Sequence, residues 1–381
     1  MAPALATQRW AARAPAAGRL FAQLAEAATW PPGPRRLREG GARRRAAARA
    51  AASIDVLDLS LPGAADRLDA SFRATGFAVV TGHGVDYGAL RQLRLKALEF
   101  FRSPLEHKQL FDKAGGEHKG ARARGMHSRL LEGGRAVNFW RARGGLPRLD
   151  AGAPTDAGEA APEPVPECVP GFREAAEGAQ RAMHDFRLRL DGLVCESLGA
   201  DPVAFPSKLD PFRAGMRLAY YPAQVTPPAP GQLRYGAHVD SGGMTVLVRD
   251  EAAQWGTQVQ LHDGEWVDVP LVEESIVLNV GALLSRWTNG RWRASVHRVG
   301  NDAAERLSIV GHSVVFKADA EVEPLPSCVS PESPSRYAPI KAGDFLTERV
   351  RLHRDNYAEE RGYSRAAAEQ ALSEQIRDYQ M

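Results

Sequence analysis

The spacing of apolar residues splits the chain into a mixed N-terminal part, one long helix and a strand-rich C-terminal half. IDVLDLS, from Ile54, has β character. ADRLDASFRATG predicts a short helix, with Leu68 and Phe72 four apart and Gly76 as its stop. FAVVTGHGV reads as a strand closing in a turn that holds His83 between two glycines. From Asp86, a suitable N-cap, Leu90, Leu93, Ala97 and Phe100 recur at helical spacing. SPLEHKQLF opens another helical turn, with Pro104 at its first position. Residues 113–142, rich in glycine and arginine, read as a loop plus a strand covering a pocket mouth, with Phe139 and Trp140 as candidate pocket walls. Residues 143–170 hold six prolines and read as a surface insertion or linker.

The clearest helix follows. Phe172, Ala176, Ala179, Met183, Phe186, Leu190, Leu193 and Leu198 form one apolar stripe, ended by Gly199. From Met216 the pattern becomes that of strands: MRLAYYP, YGAHVD, GMTVLVRD, TQVQLHDGEWVDVP, SIVLNVGALLSRWTNGRW, ASVHRVG and RLSIVGHSVVFKA. Asp263-Gly264 and Asn289-Gly290 read as hairpin turn pairs. Many short strands without βαβ alternation predict a mainly β sandwich or jelly roll with flanking helices. Residues 323–339, with five prolines, predict a loop, and 344–360 and 364–380 predict C-terminal helices. The expected organisation is therefore a basic segment at 1–52, a mixed α/β region at 53–142, the proline-rich insertion at 143–170, the helix and β core at 171–322, and a loop with helices at 323–381.

Composition narrows the function. With 44% hydrophobic and 25% charged residues, the chain has the make-up of a globular protein, and no apolar run approaches a membrane span. Net charge is +3, but residues 1–52 carry ten arginines against Glu26 and Glu39, a local +8, which leaves −5 for the remainder. A mildly acidic body argues against nucleic-acid binding, which needs a basic face. The alanine- and arginine-rich residues 1–52 read as a transit peptide for a plastid or mitochondrion, or else as a disordered basic tail of a cytoplasmic protein. Cys168, Cys195 and Cys328 lie far apart and predict free thiols in a reducing compartment. Oligomeric state leaves no sign in the pattern.

The candidate chemistry lies in the β half. His238 and Asp240 stand two apart at the opening of an apolar strand, so both side chains are able to share one face. After 56 further residues comes His297, in ASVHRVG. Two imidazoles and a carboxylate on one side of a metal leave its other side open, the pattern of non-haem Fe(II) oxygenases. Both histidines must be neutral and Asp240 ionised to bind, so metal affinity should fall with acidification. Nine residues past His297, Arg306 and Ser308 stand two apart on an apolar strand, a guanidinium fork beside a hydroxyl that suits a carboxylate. His312 shares that strand face. His83 and the remaining histidines read as structural or surface groups, and Trp287 reads as a pocket wall.

These blocks resemble the isopenicillin N synthase-like branch of the Fe(II)/2-oxoglutarate-dependent dioxygenases, over about Ile54 to Ala318. IDVLDLS, GFAVVTGHGV and FFRSPLEHKQLF are similar to that family's N-terminal part. MRLAYYP, AHVDSGGMTVLVRD, DGEWVDVP, IVLNVGALLSRWTNGRWRASVHRV and ERLSIVGHSVVF are similar to its core blocks, in order. The resemblance implies a distorted double-stranded β-helix (jelly roll), Fe(II) held by His238, Asp240 and His297, and 2-oxoglutarate bound by Arg306 and Ser308 with support from Tyr221. It also implies O2 as oxidant, ascorbate as an optional addition, and hydroxylation or desaturation of a small-molecule substrate with release of succinate and CO2. WGTQVQ departs from the family's usual Gly-Gly-Leu-Gln at one turn of the pocket wall. The rival readings are a cosubstrate-free iron oxidase and a non-catalytic metal- or ligand-binding jelly roll.

Overall fold

The computed structural model describes residues 53–104, 107, 127–131, 135–142, 166, 168–210, 216–228, 230–250 and 256–356, with backbone alone for 127–142 and 350–356. The basic segment 1–52, most of the proline-rich insertion and the helix expected over 364–380 lie outside the described residues.

Two sheets carry the architecture. The larger joins eight strands in the order β1-β2-β10-β7-β12-β5-β4-β3. These are β1 (Val56–Asp58), β2 (Phe77–Thr81), β3 (His127–Leu131), β4 (Arg135–Ala142), β5 (Met216–Tyr221), β7 (Met244–Val248), β10 (Ile276–Val280) and β12 (Arg306–Ser313). The smaller sheet has the order β6-β11-β8-β9, from β6 (Tyr235–His238), β8 (Thr257–Gln260), β9 (Trp266–Asp268) and β11 (His297–Val299). All pairings are antiparallel except β1 with β2. The result is a jelly roll with flanking helices, as the strand pattern predicts. Among the described residues, no helix is long and apolar enough to cross a membrane.

The period-two pattern decides which residues face which layer. On the larger sheet Ala78, Val80, Ile276, Leu278, Val246, Leu218, Leu307 and Ile309 face outward into the main core. That core is completed by α1 (Ala64–Ala74), α2 (Tyr87–Arg102) and α3 (Phe172–Leu198). The alternate residues Phe77, Val79 and Val277 pack instead with Val259 of the smaller sheet, and Ala219, Tyr221 and Val310 form a second inner cluster. Covering on both faces explains why Ile276–Val280 is buried at every position. Asp86 caps α2 by accepting the Ala89 N–H at 3.1 Å. Gly199 ends α3 in the left-handed region, at φ 57°. The α3 stripe buries Val194 rather than Leu193, which packs at its margin.

Several expectations require correction. The run SIVLNVGALLSRWTNGRW is not one strand. It is β10, then Gly281, then helix α5 (Ala282–Trp287), with the four-residue α4 (Ala204–Ser207) earlier in the chain. A continuous apolar run does not separate strand from buried helix by periodicity. Asn289-Gly290 is accordingly not a hairpin turn. Both residues have positive φ (56° and 77°) and lead out of α5, and the Asn289 amide donates to the Cys328 and Pro334 carbonyls, stitching down the proline-rich loop. Trp287 is not a pocket wall: it is 1% exposed and stacks on Phe205 at 4.5 Å, inside the core. Within the segment expected as a loop plus a strand, two paired strands, β3 and β4, extend the larger sheet beyond β5, and the loop expected over 113–126 lies outside the described residues. The side chains of Phe139 and Trp140 lie outside the description. Past β13 (Glu321–Val322), the loop reaches β14 (Ile340–Lys341) and α6 (Ala342–Asn356).

Helix α1 fastens the segment that leads into β11. Arg293 N–H donates to the Phe72 carbonyl at 3.1 Å, and Ser295 Oγ to the Thr75 carbonyl at 2.6 Å. Asp69 accepts Trp292 Nε1 at 2.7 Å and Arg291 Nε at 2.9 Å on one oxygen, and Arg73 Nε at 2.7 Å on the other. Burial alone would raise the Asp69 carboxyl, but these donors prevail and hold it below its ordinary value of 3.8. Asp69→Ala should therefore lower stability by about 1–3 kcal/mol, because it leaves the buried Trp292 indole N–H without its acceptor and the half-buried Arg291 with only the Ser197 carbonyl. The folded value is the depressed one, so this contribution is complete above the ordinary carboxylate range. It disappears as pH falls through the folded value. Urea unfolding of the two proteins at pH 7 and at progressively lower pH measures both effects: the gap between them should narrow in acid.

Candidate metal centre

The strand register places three side chains at one point. His297 of β11 lies directly opposite His238 of β6 in an antiparallel pair, and their ring centroids are 4.2 Å apart. Asp240 follows β6 by two residues. Its Oδ1 lies 3.6 Å from His238 Nε2 and 3.8 Å from His297 Nε2. The three potential ligand atoms all fall within 4.8 Å of one another.

Each ligand is oriented by a partner behind it. His238 Nδ1 sits 2.9 Å from the Gly236 carbonyl, and His297 Nδ1 sits 3.1 Å from the Ser295 carbonyl. A carbonyl only accepts, so both Nδ1 atoms carry the proton and both Nε2 lone pairs face the shared point. Asp240 Oδ2 accepts Thr245 Oγ1 at 2.5 Å and Asn279 Nδ2 at 2.8 Å, which leaves Oδ1 toward the imidazoles. The turn bearing Asp240 is held by the start of α5: Ala282 N–H donates to the Asp240 carbonyl at 2.7 Å, and Gly281 N–H to the Gly243 carbonyl at 2.7 Å. Gly281 lies so close to the Gly242 carbonyl that a Cβ would overlap it. The ring edge of Phe77 meets His297 at 5.3 Å and shields it.

The electrostatics suit a divalent cation. Burial pushes His297 down to about 4, helped by the adjacent His238, so the ring is neutral near pH 7. Burial alone would raise Asp240, but the two imidazoles and the Thr245 hydroxyl overrule it and hold the carboxyl well below the usual range. Two imidazole nitrogens and one carboxylate, converging from one side with their orientations fixed from behind, fit a ferrous ion.

The open side of the triad faces a cavity of about 130 Å³ between the two sheets. Arg306, Ser308, Val310 and His312 line it from β12, Arg217, Ala219 and Tyr221 from β5, and Thr245 and Leu247 from β7. Arg306 is buried and pairs with Asp302. Tyr221 stands opposite Arg306 across the strand pair, and burial raises its phenol. All six residues singled out for metal or cosubstrate thus surround one cavity, and His312 borders it as well. His83 has a structural place: Val85 N–H donates to its Nδ1 at 3.1 Å, and its Nε2 reaches the Glu274 carbonyl at 2.8 Å.

Thr245 and Asn279 were not anticipated. Asn279 left a signal, a single amide within the apolar run IVLNV, where a buried polar group needs a stated partner. Gly256 was noted only as a departure from the family pattern. A Cβ there would meet Arg306 Nη1, so this glycine makes room for the guanidinium.

Comparison with known proteins bears on the family. The profile of the 2OG-Fe(II) oxygenase superfamily matches residues 212–313, and that of the N-terminal region of the non-haem dioxygenases in morphine synthesis matches residues 54–144. The oxoglutarate-dependent flavonoid 7-O-demethylase 1 of Ocimum basilicum is 26% identical over 71% of this chain and 69% of its own length. The validamycin A dioxygenase of Streptomyces hygroscopicus subsp. limoneus is 29% identical over 72% of this chain and 79% of its own. Among solved structures, a 2OG-Fe(II) oxygenase family protein from Caulobacter crescentus superposes with a TM-score of 0.66 at 26% identity, covering 79% of this chain and 99% of that one.

Replacing Asn279 by Ala should weaken Fe(II) binding about 10- to 100-fold, the usual effect of losing an outer partner of a metal ligand. Anaerobic titration with Fe(II), read by competition with a chromophoric chelator, measures the shift.

Proposed function

The chain belongs to the 2OG-Fe(II) oxygenase superfamily, and from that membership we propose an Fe(II)- and 2-oxoglutarate-dependent dioxygenase that hydroxylates or desaturates a small organic molecule. In this reading His238, Asp240 and His297 hold the iron, and Arg306 with Ser308 and Tyr221 receives the distal carboxylate of 2-oxoglutarate. One observation carries the assignment: three ligand atoms within 4.8 Å of one another open onto the same cavity as a buried guanidinium beside a hydroxyl.

Bound Fe(II), 2-oxoglutarate and O2 together supply the oxidising chemistry, with the cosubstrate leaving as succinate and CO2. The chain's own residues do the rest. The carbonyls of Gly236 and Ser295 accept hydrogen bonds from the Nδ1–H groups and keep each Nε2 free to act as a nitrogen ligand. Thr245 and Asn279 fix the carboxylate on its far oxygen, so that one oxygen and two nitrogens stay on one side and the opposite side is left to small ligands. Arg306 gives the cosubstrate its direction, since a planar fork binds a carboxylate in two parallel hydrogen bonds. Asp250 steadies the strand at that point: its Oδ2 accepts the Leu307 N–H at 3.0 Å, and its Oδ1 lies 3.4 Å from Arg94 Nη1. The apolar wall of Phe77, Leu247, Leu271, Val299 and Val310 keeps water from the reacting centre.

The reading is tested by adding 2-oxoglutarate to the anaerobic Fe(II) protein, which should produce a visible charge-transfer band. On exposure to O2, succinate should then form in step with product. Succinate-free turnover would instead indicate a cosubstrate-free oxidase. Arg306→Ala should weaken 2-oxoglutarate binding by about 1.5–3 kcal/mol while leaving iron in place. Gly256→Ala should raise the half-saturating 2-oxoglutarate concentration with little change in Fe(II) affinity, because the added methyl meets only the guanidinium. Both variants are read by titrating the same band.

A further inference from the structure

The far end of β12 carries a backbone outlier. Among the described residues four non-glycines have positive φ, and Val314, at 50°, is the one β-branched residue of the four. That region crowds an L side chain, and a β-branched one most of all. Val314 is fully buried in the main core. Glycine would make the same turn without steric cost, so valine has to be held in it.

Asp191 of α3 does the holding. Its Oδ1 accepts the Val314 N–H at 2.9 Å and the Ser313 hydroxyl at 2.5 Å. Ser313 is the last residue of β12 and pairs with Met244, the first of β7. The helix lies close along this strand: a Cβ on Gly311 would meet Met183, also of α3. Burial raises the Asp191 carboxyl above its ordinary value of 3.8, although both hydrogen bonds and the nearby Arg187 oppose the rise. A carboxylate kept in place against its burial points to a task beyond stability.

The strained turn lies next to the metal centre. The Val314 carbonyl sits against Gly243, where a Cβ would overlap it. The Gly243 carbonyl accepts the Gly281 N–H at 2.7 Å, the Gly242 carbonyl accepts the Leu283 N–H at 3.1 Å, and the Asp240 carbonyl accepts the Ala282 N–H at 2.7 Å. A Cβ on Gly281 would in turn overlap the Gly242 carbonyl. Three stretches of backbone are thus layered directly on one another: Val314, then the turn that bears Asp240, then the start of α5.

We propose that Asp191 is a positioning residue for the metal centre. By holding Val314 in its left-handed turn, it keeps the Val314 carbonyl pressed on Gly243 and fixes where the Asp240 carboxylate stands relative to the two imidazoles. The inference rests on the reading of His238, Asp240 and His297 as a metal centre and adds to it a residue from a helix outside both sheets.

The test needs the metal alone. Fe(II) is titrated anaerobically into the full chain in competition with a chromophoric chelator. Co(II) is added to separate samples, and its visible d–d bands report the coordination geometry. Absence of binding by the unaltered protein counts against the metal centre itself. Asp191→Ala should weaken Fe(II) binding roughly 3- to 10-fold, less than the loss of a direct partner of a ligand, and should alter the Co(II) bands at saturation. Asp191→Asn keeps an acceptor oxygen and should bind as the unaltered protein does. Val314→Gly should also bind normally, whatever the lost side chain costs in melting temperature, because glycine takes the turn unaided. The decisive protein combines Asp191→Ala with Val314→Gly: its affinity and Co(II) bands should return toward those of the unaltered chain. If Asp191→Ala does not fold, as judged by its melting curve, Asp191→Glu carries the comparison, since it moves the acceptor by one bond and should show the same loss and the same recovery with Val314→Gly. A lowered melting temperature with unchanged affinity and bands, or a loss of affinity that Val314→Gly does not relieve, overturns the inference.

Discussion

One buried carboxylate governs the architecture around the site. Asp240 is held ionised against its burial by the two imidazoles beside it and by the Thr245 hydroxyl, and Asn279 joins Thr245 on its second oxygen, from two neighbouring strands of the larger sheet. A neutral carboxyl is a poor metal ligand, so these neighbours keep the group fit to bind one. The histidines come from the smaller sheet and the donors from the larger, so the two sheets must be in register with one another before the three ligand atoms converge. The metal set is therefore a readout of correct sheet packing.

The helices serve that packing from outside. α1, α2 and α3 cover the outer face of the larger sheet and leave its inner face to the cavity. α1 also reaches across to the segment before β11 through Asp69, Phe72 and Thr75. α5 turns back to hold the backbone around Asp240. Rigid elements thus fix two of the three ligands from behind, a division of labour expected where a site tolerates little displacement.

Much of this was legible in the sequence. The 172–198 stripe, the capped helix after Asp86 and the strands bearing His238, His297 and Arg306 all follow from periodicity and turn residues. The metal and carboxylate motifs stood out because charged side chains on apolar strands are costly without a task. What escaped has physical causes. GALLSRW is short and mostly apolar, with no clear helical or alternating period, so strand and buried helix look alike, and Asn289-Gly290 has the dipeptide of a hairpin although it ends a helix. Trp287 is large and aromatic, which suits a pocket and a core equally, and only tertiary contacts place it against Phe205. The roles of Asn279 and Gly256 depend on neighbours distant in the chain, and spacing does not report them.

The direct opposition of His238 and His297 has a consequence for how such a protein changes over time. Their separation is set by one rung of a ladder, not by the length of chain between them. Residues inserted or removed in the loops that join β7, β8, β9 and β10 leave that rung where it is. Loop remodelling there is therefore free to alter what enters the chamber, generation after generation, while the catalytic apparatus is inherited intact.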